Sequence, residues 1–410
     1  MTAYASRHFV AEKVNALCLV NDVNINTSNT LQIEHQMLPI VAAGGWDNET
    51  NHVTLYLPVT STRDEQELKK EFKRESNEAR PCELSTLAEV EHEGDVNALQ
   101  FVATRDENLL VSASSTGGVF VYHVSGADDA TMTDGDSVGP LSVVAMPQWE
   151  QVFAGTPATC VEVSENRTCL VTASAGGALA WLKLDDHASI DKIGKQNAKE
   201  YEDILPINAV KFLGRDSVVA TTGLTPASQL RIWDLTANNK FPVTTCADLN
   251  SRSILTTLET HPTRPELLIT GTDDGSVIFW DRRKLDAPFR TEACHQRAIR
   301  ALKLHSSSPR YLYTAGDDNV VKCWDFHHGR NPCDPVEYAR YSGSTACQNL
   351  APFGSLGTAS KGPGGLHVQQ LTSGSQPWNA LAIHAESDTL IAGSDAQSIV
   401  IVQQVSKWKQ

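Results

Sequence analysis

The strongest constraint on the fold of this chain is a unit that recurs along most of its length. Each copy has a strand of alternating apolar residues, a polar turn, a second apolar strand that ends in small residues, a Gly or Asp turn, and a third strand. Six copies occupy residues 95–123, 158–184, 206–235, 253–281, 298–326 and 377–402, and residues 40–57 supply the last part of a seventh. Because one such unit cannot bury its own apolar faces, the copies must stack against one another.

Seven stacked units of three or four strands predict an all-β fold, a seven-bladed β-propeller. The third strands end at Tyr56, Tyr122, Trp181, Trp233, Trp280 and Trp324, with Ile401 in the seventh copy. These positions are further apart than the roughly 40–45 residues of a minimal blade. We therefore expect a single domain over residues 1–410, with insertions at about 58–83, 125–156, 185–203 and 328–365.

The two ends of the chain predict how the ring closes. Residues 7–12 read as a strand with no blade of its own, and residues 398–405 end the last copy as a third strand. An open ring would leave unpaired edge strands, which native proteins avoid. We therefore expect the N-terminal strand to complete the last blade.

Three Trp-Asp dipeptides, at 233–234, 280–281 and 324–325, resemble the signature of WD-repeat proteins. In that family a His, a Ser or Thr, an Asp and the Trp form a buried hydrogen-bond chain within a blade. In the best copy the matching positions are His295, Thr314, Asp318 and Trp324. In the preceding copy they are Thr270, Asp274 and Trp280, with no matching His. A buried indole N–H and a buried carboxylate need such partners, so these residues are expected to be structural rather than catalytic.

A narrower resemblance comes from residues 44–56, 92–101, 112–121 and 381–402. Together they resemble the small WD-repeat nucleoporins of the Y-shaped outer-ring complex of the nuclear pore, from residue 7 to 405 but poorly in the insertions. The resemblance implies a non-catalytic scaffold subunit at the nuclear envelope, bound to an α-solenoid nucleoporin of the short arm. It also implies roles in pore assembly and in transport of mRNA and protein, and a presence at kinetochores in mitosis.

Composition narrows the choice of partners. The formal net charge is −15, which repels phosphate backbones and anionic lipid, so direct nucleic-acid binding is not expected.

No apolar run reaches the ~18 residues of a membrane-spanning helix, so we expect no transmembrane segment. The nine cysteines are scattered without C-x-x-C spacing, which is typical of reduced thiols rather than a disulfide framework.

Motifs for chemistry are missing from the sequence. It contains no phosphate-binding G-x-x-x-x-G-K-[ST] loop, no G-x-S-x-G elbow and no H-E-x-x-H pair. His327, His328, Cys333 and Cys347 lie near one another in sequence, but their spacing fits no zinc-finger pattern. The inner-strand candidates Val96, Ala98, Ala209 and Ala301 are small or apolar, which argues against an active site in the channel. We expect no enzymatic activity, no cofactor and no bound metal.

The turn at Trp46, Asp47 and Asn48 is the best candidate for binding a partner. Loops carry most binding sites of a rigid scaffold, and an aromatic residue in a polar turn is a typical hot-spot type. The alternative is structural: Trp46 packs against the adjacent blade and Asp47 caps the turn.

A second functional hypothesis rests on residues 280–283, Trp-Asp-Arg-Arg. They resemble the W-D-x-R pattern by which some WD-repeat substrate receptors of cullin ubiquitin ligases contact the ligase adaptor through the Arg. The alternative without a binding role is that Arg283 is a solvated residue at a strand end.

Overall fold

The structure is a computed structural model in which every regular element of the described residues is a β-strand. It describes residues 4–21, 32–33, 36–60, 82–104, 107–126, 139–184, 190–193, 206–214, 216–225, 227–237, 242–248, 251–326, 360–361 and 366–406. These strands form seven radial sheets, the blades, and one two-stranded ribbon of Gln32–Ile33 and Gln36–Met37. The predicted all-β propeller with seven blades is confirmed.

Each blade is antiparallel and is described from its innermost, first strand outward. Blade 1 contains Val14–Val20, Ile40–Gly45, Asn51–Thr60 and Cys82–His92. Blade 2 contains Val96–Ala103, Asn108–Ser114, Val119–Val124 and Leu141–Val144. Blade 3 contains Ala158–Val163, Cys169–Ser174, Leu179–Lys183 and Ile190–Ile193. Blade 4 contains Val210–Phe212, Val218–Thr225, Ser228–Asp234 and Thr244–Cys246.

The last three blades follow the same plan with two variations. Blade 5 contains Leu255–His261, Arg264–Thr272, Ser276–Asp281 and Arg290–Ala293. Blade 6 contains Ile299–Leu304, Tyr311–Gly316, Val320–Phe326, Leu366–Ser373 and an outer fifth strand, Ser360–Lys361. Blade 7 contains Trp378–His384, Thr389–Ser394, Ser398–Gln403 and the N-terminal strand Tyr4–Phe9.

The first strands surround the axis of the ring, and each contacts the first strand of the next blade, with blade 7 contacting blade 1. We call the face where the first strands begin the upper face; it also carries the turns between second and third strands. The face where the first strands end is the lower face. Binding residues on turns of one face are therefore separated from those of the other by the full length of a strand.

Second strands pack against a neighbouring blade and are buried over most of their length, and Ile40–Gly45 and Thr389–Ser394 are buried throughout. Their small final residues allow the next blade to approach. A Cβ on Gly44 would lie 2.3 Å from Val96 Cγ1 of blade 2, and a Cβ on Gly393 would lie 2.4 Å from Val14 Cγ1 of blade 1. Since no real side chain fits at those distances, glycine sets the spacing between blades at both positions.

The ring closes through the N-terminal strand, as predicted. Tyr4–Phe9 pairs antiparallel with Ser398–Gln403, from Tyr4 opposite Gln403 to Phe9 opposite Ser398. Arg7 also donates to the Ser373 carbonyl of blade 6 at 2.7 Å, and its guanidinium lies 5.7 Å from the Trp378 ring centroid. The strand begins three residues before the predicted start at residue 7 and ends at Phe9, because it pairs along the whole of the third strand.

A second set of contacts joins the blades at their first strands. In six blades the ladder between first and second strands shifts register at the second residue of the first strand, leaving one unpaired, bulged residue. Such bulges re-aim a side chain. Here the side chain reaches the next blade: the donors are Asn15 to Val96 O, Asn97 to Ala158 O, Thr159 to Ile207 O, Thr256 to Ile299 O and Asn379 to Val14 O.

Blade 4 uses the equivalent Asn208, which donates to Leu255 O at 2.9 Å. These six side-chain contacts are called the latch below. At the junction of blades 6 and 7 the equivalent residue is Arg300, which instead pairs with Asp317 of its own blade at 2.7 Å. The latch therefore joins six of the seven junctions, and in five of them the donor is a bulged residue.

Parts of the predicted insertions belong to the blades. Leu141–Val144 and Ile190–Ile193 are fourth strands within the segments assigned to insertions at 125–156 and 185–203. Trp149, Val152 and Phe153 are buried between blades 2 and 3. The burial pattern of Leu141–Val144 is weak because an outermost strand has one solvated face, so it leaves little signal in the sequence. Most of the segments at 58–83 and 328–365 lie outside the described residues.

Deletion of residues 1–12 removes the fourth strand of blade 7 and exposes the edge of Ser398–Gln403. We expect the melting temperature to fall by roughly 5–10 °C, measured by circular dichroism during a thermal scan. Deletion of residues 1–3, which precede the strand, is the control. An unchanged melting temperature after the longer deletion would contradict closure by this strand.

Candidate functional site

The candidate turn at Trp46 lies on the upper face and is fastened to both neighbouring blades. Trp46 is half-buried, and its indole N–H donates to Asp395 Oδ1 of blade 7 at 2.9 Å. The Asp47 backbone N–H donates to Asp95 Oδ1, before blade 2, at 2.9 Å. Asn48 donates from its amide to Trp46 O and to Asn51 Oδ1, each at 3.0 Å. The turn thus bridges three blades.

Asp47 is the residue of this turn that faces solvent. Its φ of 56° places it in the left-handed region, where Asp is tolerated better than bulkier residues. The carboxylate pairs with Lys13 while its side chain stays 62% exposed. The Trp46 indole N–H is therefore used in a structural hydrogen bond, whereas the Asp47 carboxylate lies at the surface in a fixed position.

The four residues matched to the WD-repeat chain in blade 6 lie in one continuous hydrogen-bond chain. His295 Nδ1–H donates to Asp318 Oδ1 at 2.8 Å, and His295 Nε2 accepts from the Thr314 hydroxyl at 2.8 Å. Trp324 Nε1–H donates to Thr314 Oγ1 at 3.1 Å. Burial lowers the pKa of His295 more than Asp318 raises it, so the imidazole is neutral, as this chain of donors requires.

Blade 5 brings together only two of its three matched residues. Trp280 Nε1–H donates to Thr270 Oγ1 at 2.9 Å. Asp274 instead accepts from the hydroxyls of Ser253, at 2.5 Å, and Thr272, at 2.6 Å. Without a His to span the distance, Asp274 holds its turn and the preceding linker rather than joining the Trp280 pair.

Sequence reasoning missed a related pair in blade 2. His92 Nε2 lies 2.9 Å from Ser112 Oγ, and His92 Nδ1 lies 2.9 Å from Gly94 O. Both His92 and Ser112 are buried. The signal was present: His92 precedes the first strand of its blade by the same number of residues as His295 does in blade 6.

The central channel holds a belt of polar and ionisable side chains. This differs from the expectation, drawn from Val96, Ala98, Ala209 and Ala301, that small or apolar residues line the channel. The belt residues occupy equivalent first-strand positions in blades 2 to 6: Gln100, Glu162, Lys211, Glu259 and Lys303. Ala98, Ala209 and Ala301 each lie two residues before a belt position and so on the same side of the chain, whereas the bulge that follows Val96 turns that residue to the opposite, buried face. The sequence interpretation therefore stopped two residues short of the polar side chains on the channel side of the first strands.

Belt members are paired from blade to blade. Gln100 donates to Glu162 at 2.5 Å, and Lys211 Nζ lies 3.0 Å from Glu162 and 3.5 Å from Glu259. Lys303 Nζ lies 3.0 Å from Glu259. Each Lys or Glu thus has an opposite charge within reach.

These pairs keep Lys211 and Glu259 ionised. Burial disfavours the charged form of Lys211, but Glu162 and Glu259 outweigh it and raise the pKa of Lys211. Burial likewise opposes ionisation of Glu259, but Lys211 and Lys303 outweigh it and lower its pKa. Both shifts move the groups away from neutral pH, which is the reverse of what a general acid or base needs.

Arg283, the residue behind the ligase hypothesis, lies on the lower face at the end of a third strand. It forms a fork with Asp281, with Nε to Oδ1 at 2.9 Å and a terminal nitrogen to Oδ2 at 2.6 Å. Its side chain is 61% exposed. Arg283 is therefore both fixed in direction and accessible.

One group of potential metal ligands occurs among the described residues: Glu12, His52 and Glu89 have ligand atoms within 4.8 Å of one another. His52 Nδ1–H donates to Glu12 Oε1 at 2.5 Å. The hydrogen bond with Glu12 is the main cause that raises the pKa of His52, and it outweighs burial. The geometry is that of an ion pair that joins Glu12, which follows the N-terminal strand, to blade 1. His327, His328, Cys333 and Cys347 lie outside the described residues.

No described segment forms a helix of the length and apolar character needed to cross a bilayer. Comparison with known proteins gives two results. Residues 287–325, which include the end of blade 5 and the first three strands of blade 6, match the family model "WD domain, G-beta repeat". The chain thus has the fold of a seven-bladed β-propeller and contains a segment that matches a WD repeat.

The second result is similarity to a nucleoporin. The chain is 27% identical to human nucleoporin Nup43 over 261 residues, covering 62% of this chain and 60% of that protein. It is 24% identical to mouse nucleoporin Nup43 over 257 residues, with the same coverage of 62% and 60%. The matches therefore span less than two thirds of the length of these curated relatives.

Substitution of Thr314 by Val keeps the side-chain volume and removes the hydroxyl that joins His295 to Trp324. We expect a loss of about 2–4 kcal/mol in the free energy of unfolding, because two buried polar groups lose their partner. Guanidinium chloride unfolding measures it, with the exposed Thr291→Val as control. Equal stability of the two variants would show that the chain contributes nothing.

The ion pair of Glu12 and His52 predicts a pH dependence. The pKa of His52 is higher in the folded state, so its contribution is complete below the unfolded value of about 6.5 and is lost as pH rises through the folded value. Glu12→Gln should therefore lower the melting temperature more at about pH 6 than at about pH 8.5. Glu165→Gln, at an exposed turn, is the control, and a pH-independent difference would contradict the assignment.

Proposed function

We propose that this WD-repeat β-propeller is a non-catalytic scaffold subunit of the outer-ring Y complex of the nuclear pore. The observation that carries the proposal is the similarity to nucleoporin Nup43 of two mammals over 62% of the chain. The described geometry agrees with a scaffold, because the charged side chains of the channel pair with one another from blade to blade.

We expect the direct binding partners of such a subunit to be proteins rather than nucleic acids. The net charge of −15 opposes binding to phosphate backbones. The resemblance of the sequence to the small nucleoporins of the Y complex extends the proposal to an α-solenoid nucleoporin of the short arm as the direct partner. It also extends it to the nuclear envelope as location, to pore assembly and transport of mRNA and protein, and to kinetochores in mitosis.

The partner surface we propose is the upper-face turn of Trp46, Asp47 and Asn48. A turn fixed to three blades is preorganised, so binding costs little conformational entropy. The exposed Asp47 carboxylate fits a basic group of a partner, and it is held by the pair with Lys13 and by the hydrogen bond from the Asp47 backbone N–H to Asp95.

Affinity purification of the tagged full-length chain from cells, followed by mass spectrometry, tests the proposal. Outer-ring nucleoporins should be enriched over a tag-only control. Asp47→Arg reverses the exposed charge and should reduce that enrichment, whereas Glu165→Arg, at an exposed turn of blade 3, should not. Recovery without any outer-ring nucleoporin would contradict the proposed function.

The same experiment addresses a second function, that of a substrate receptor of a cullin ubiquitin ligase. Arg283 favours it because the guanidinium is 61% exposed and oriented by Asp281. In that case the ligase adaptor would be recovered with the wild type and lost with Arg283→Ala. Lys284→Ala, at the adjacent exposed residue, is the matched control.

A further inference from the structure

The belt of the channel is incomplete in two of the seven blades. At the equivalent first-strand position, blade 7 has Ala382 and blade 1 has Cys18, where the other five blades have a polar or charged residue. The charges alternate from Glu162 through Lys211 and Glu259 to Lys303, and this alternating series of charges ends at Lys303. A cation therefore stands at the open end of the belt, next to a gap left by two small side chains.

Lys303 differs from the other belt lysine in its environment. Lys211 has two carboxylates, at 3.0 and 3.5 Å, and its side chain is 14% exposed. Lys303 pairs with Glu259 at 3.0 Å, and its side chain is 38% exposed. A second carboxylate placed beside Lys303 would give this lysine two acidic partners, as Lys211 already has.

A cavity of about 380 Å³ opens at this gap, toward the lower face. Its walls include the half-buried apolar side chains of Leu19, Phe101 and Ile383. The volume is at the small end of ligand pockets, large enough for a few residues of extended peptide but not for a large cofactor.

The charge of the cavity is opposite to that of the protein. In a chain of net charge −15, the described residues that line the cavity include two cations, Lys303 and Arg167, and no Asp or Glu. Arg167 donates to the Ala103 carbonyl at 2.7 Å, which holds its guanidinium at the rim. Burial raises the pKa of the Cys18 thiol to about 12, so the cavity offers no thiolate for covalent chemistry.

We propose that this lower-face cavity binds an extended peptide segment of a partner protein in which an apolar residue is adjacent to Asp or Glu. The acidic side chain pairs with Lys303, with Arg167 at the rim, and continues the alternation of charge. The apolar side chain lies against Leu19, Phe101 and Ile383. The site is independent of the proposed nuclear pore function and lies on the face opposite to the Trp46 turn.

A phage-displayed library of random heptapeptides, selected on the full-length chain, tests the site. We expect enrichment of peptides with Asp or Glu adjacent to a large apolar residue. One enriched peptide and its analogue with Gln for Glu, or Asn for Asp, are then titrated by fluorescence anisotropy. The acidic form should bind at least about tenfold more tightly, since the amide of the analogue carries no negative charge to pair with the Lys303 ammonium.

Two variants locate the binding. Lys303→Met should weaken the acidic peptide at least about tenfold. Ala382→Glu places a carboxylate in the gap beside Lys303 and should abolish binding by occupying the site. Lys284→Met, an exposed cation of blade 5, is the control and should bind like the wild type.

A third readout does not depend on the folding of a variant. The enriched peptide, with benzophenone on its apolar residue, should label the wild type in the first strands of blades 1, 2 or 7 after irradiation. Enriched peptides without acidic residues would overturn the proposal. So would label elsewhere, or undiminished binding by correctly folded Lys303→Met and Ala382→Glu.

Discussion

The structure depends on how six of the seven blades are fastened to the next blade at or just before the first strand. A bulge at the second residue of this strand turns one side chain out of its own sheet, and that side chain donates to a backbone carbonyl of the following blade. Hydrophobic packing alone brings apolar sheets together but does not set their rotation. The latch does, because a hydrogen bond is directional and the accepting carbonyl is the first of the next blade's ladder.

A fixed rotation between blades has consequences in the channel. It places one side chain of every first strand at the same height, which lets Glu162, Lys211 and Glu259 pair across blade boundaries. Small residues at the ends of the second strands, such as Gly44 and Gly393, allow the required approach. The junction of blades 6 and 7 has Arg300 in place of a latch donor and receives the N-terminal strand instead, whose Arg7 contacts both blades.

The sequence predicted the propeller because its third strands end in aromatic residues and its second strands end in small ones, two features that burial enforces. It did not predict Val14–Val20 as a first strand, since a long connection separates it from Ile40–Gly45. The latch was visible as Val-Asn-Ala-Leu at both 14–17 and 96–99, but its role follows only from the bulge. Glu162 and Lys211, read singly, are typical of a solvated face; only the ring brings them together.

The most direct test of this account is the free energy of unfolding of four single variants, Asn15→Ala, Asn97→Ala, Asn208→Ala and Asn379→Ala, from guanidinium chloride titrations. Each variant should lose about 1–3 kcal/mol, because each leaves a buried carbonyl without its donor, with similar values for Asn15, Asn97 and Asn208. The loss should be largest for Asn379, whose amide also donates to Asp395 Oδ1 at 2.6 Å. Asn108→Ala, in the second strand of blade 2, should change stability by less than about 0.5 kcal/mol. If the four latch variants were as stable as this control, the blades would be held by packing alone and the account would be wrong.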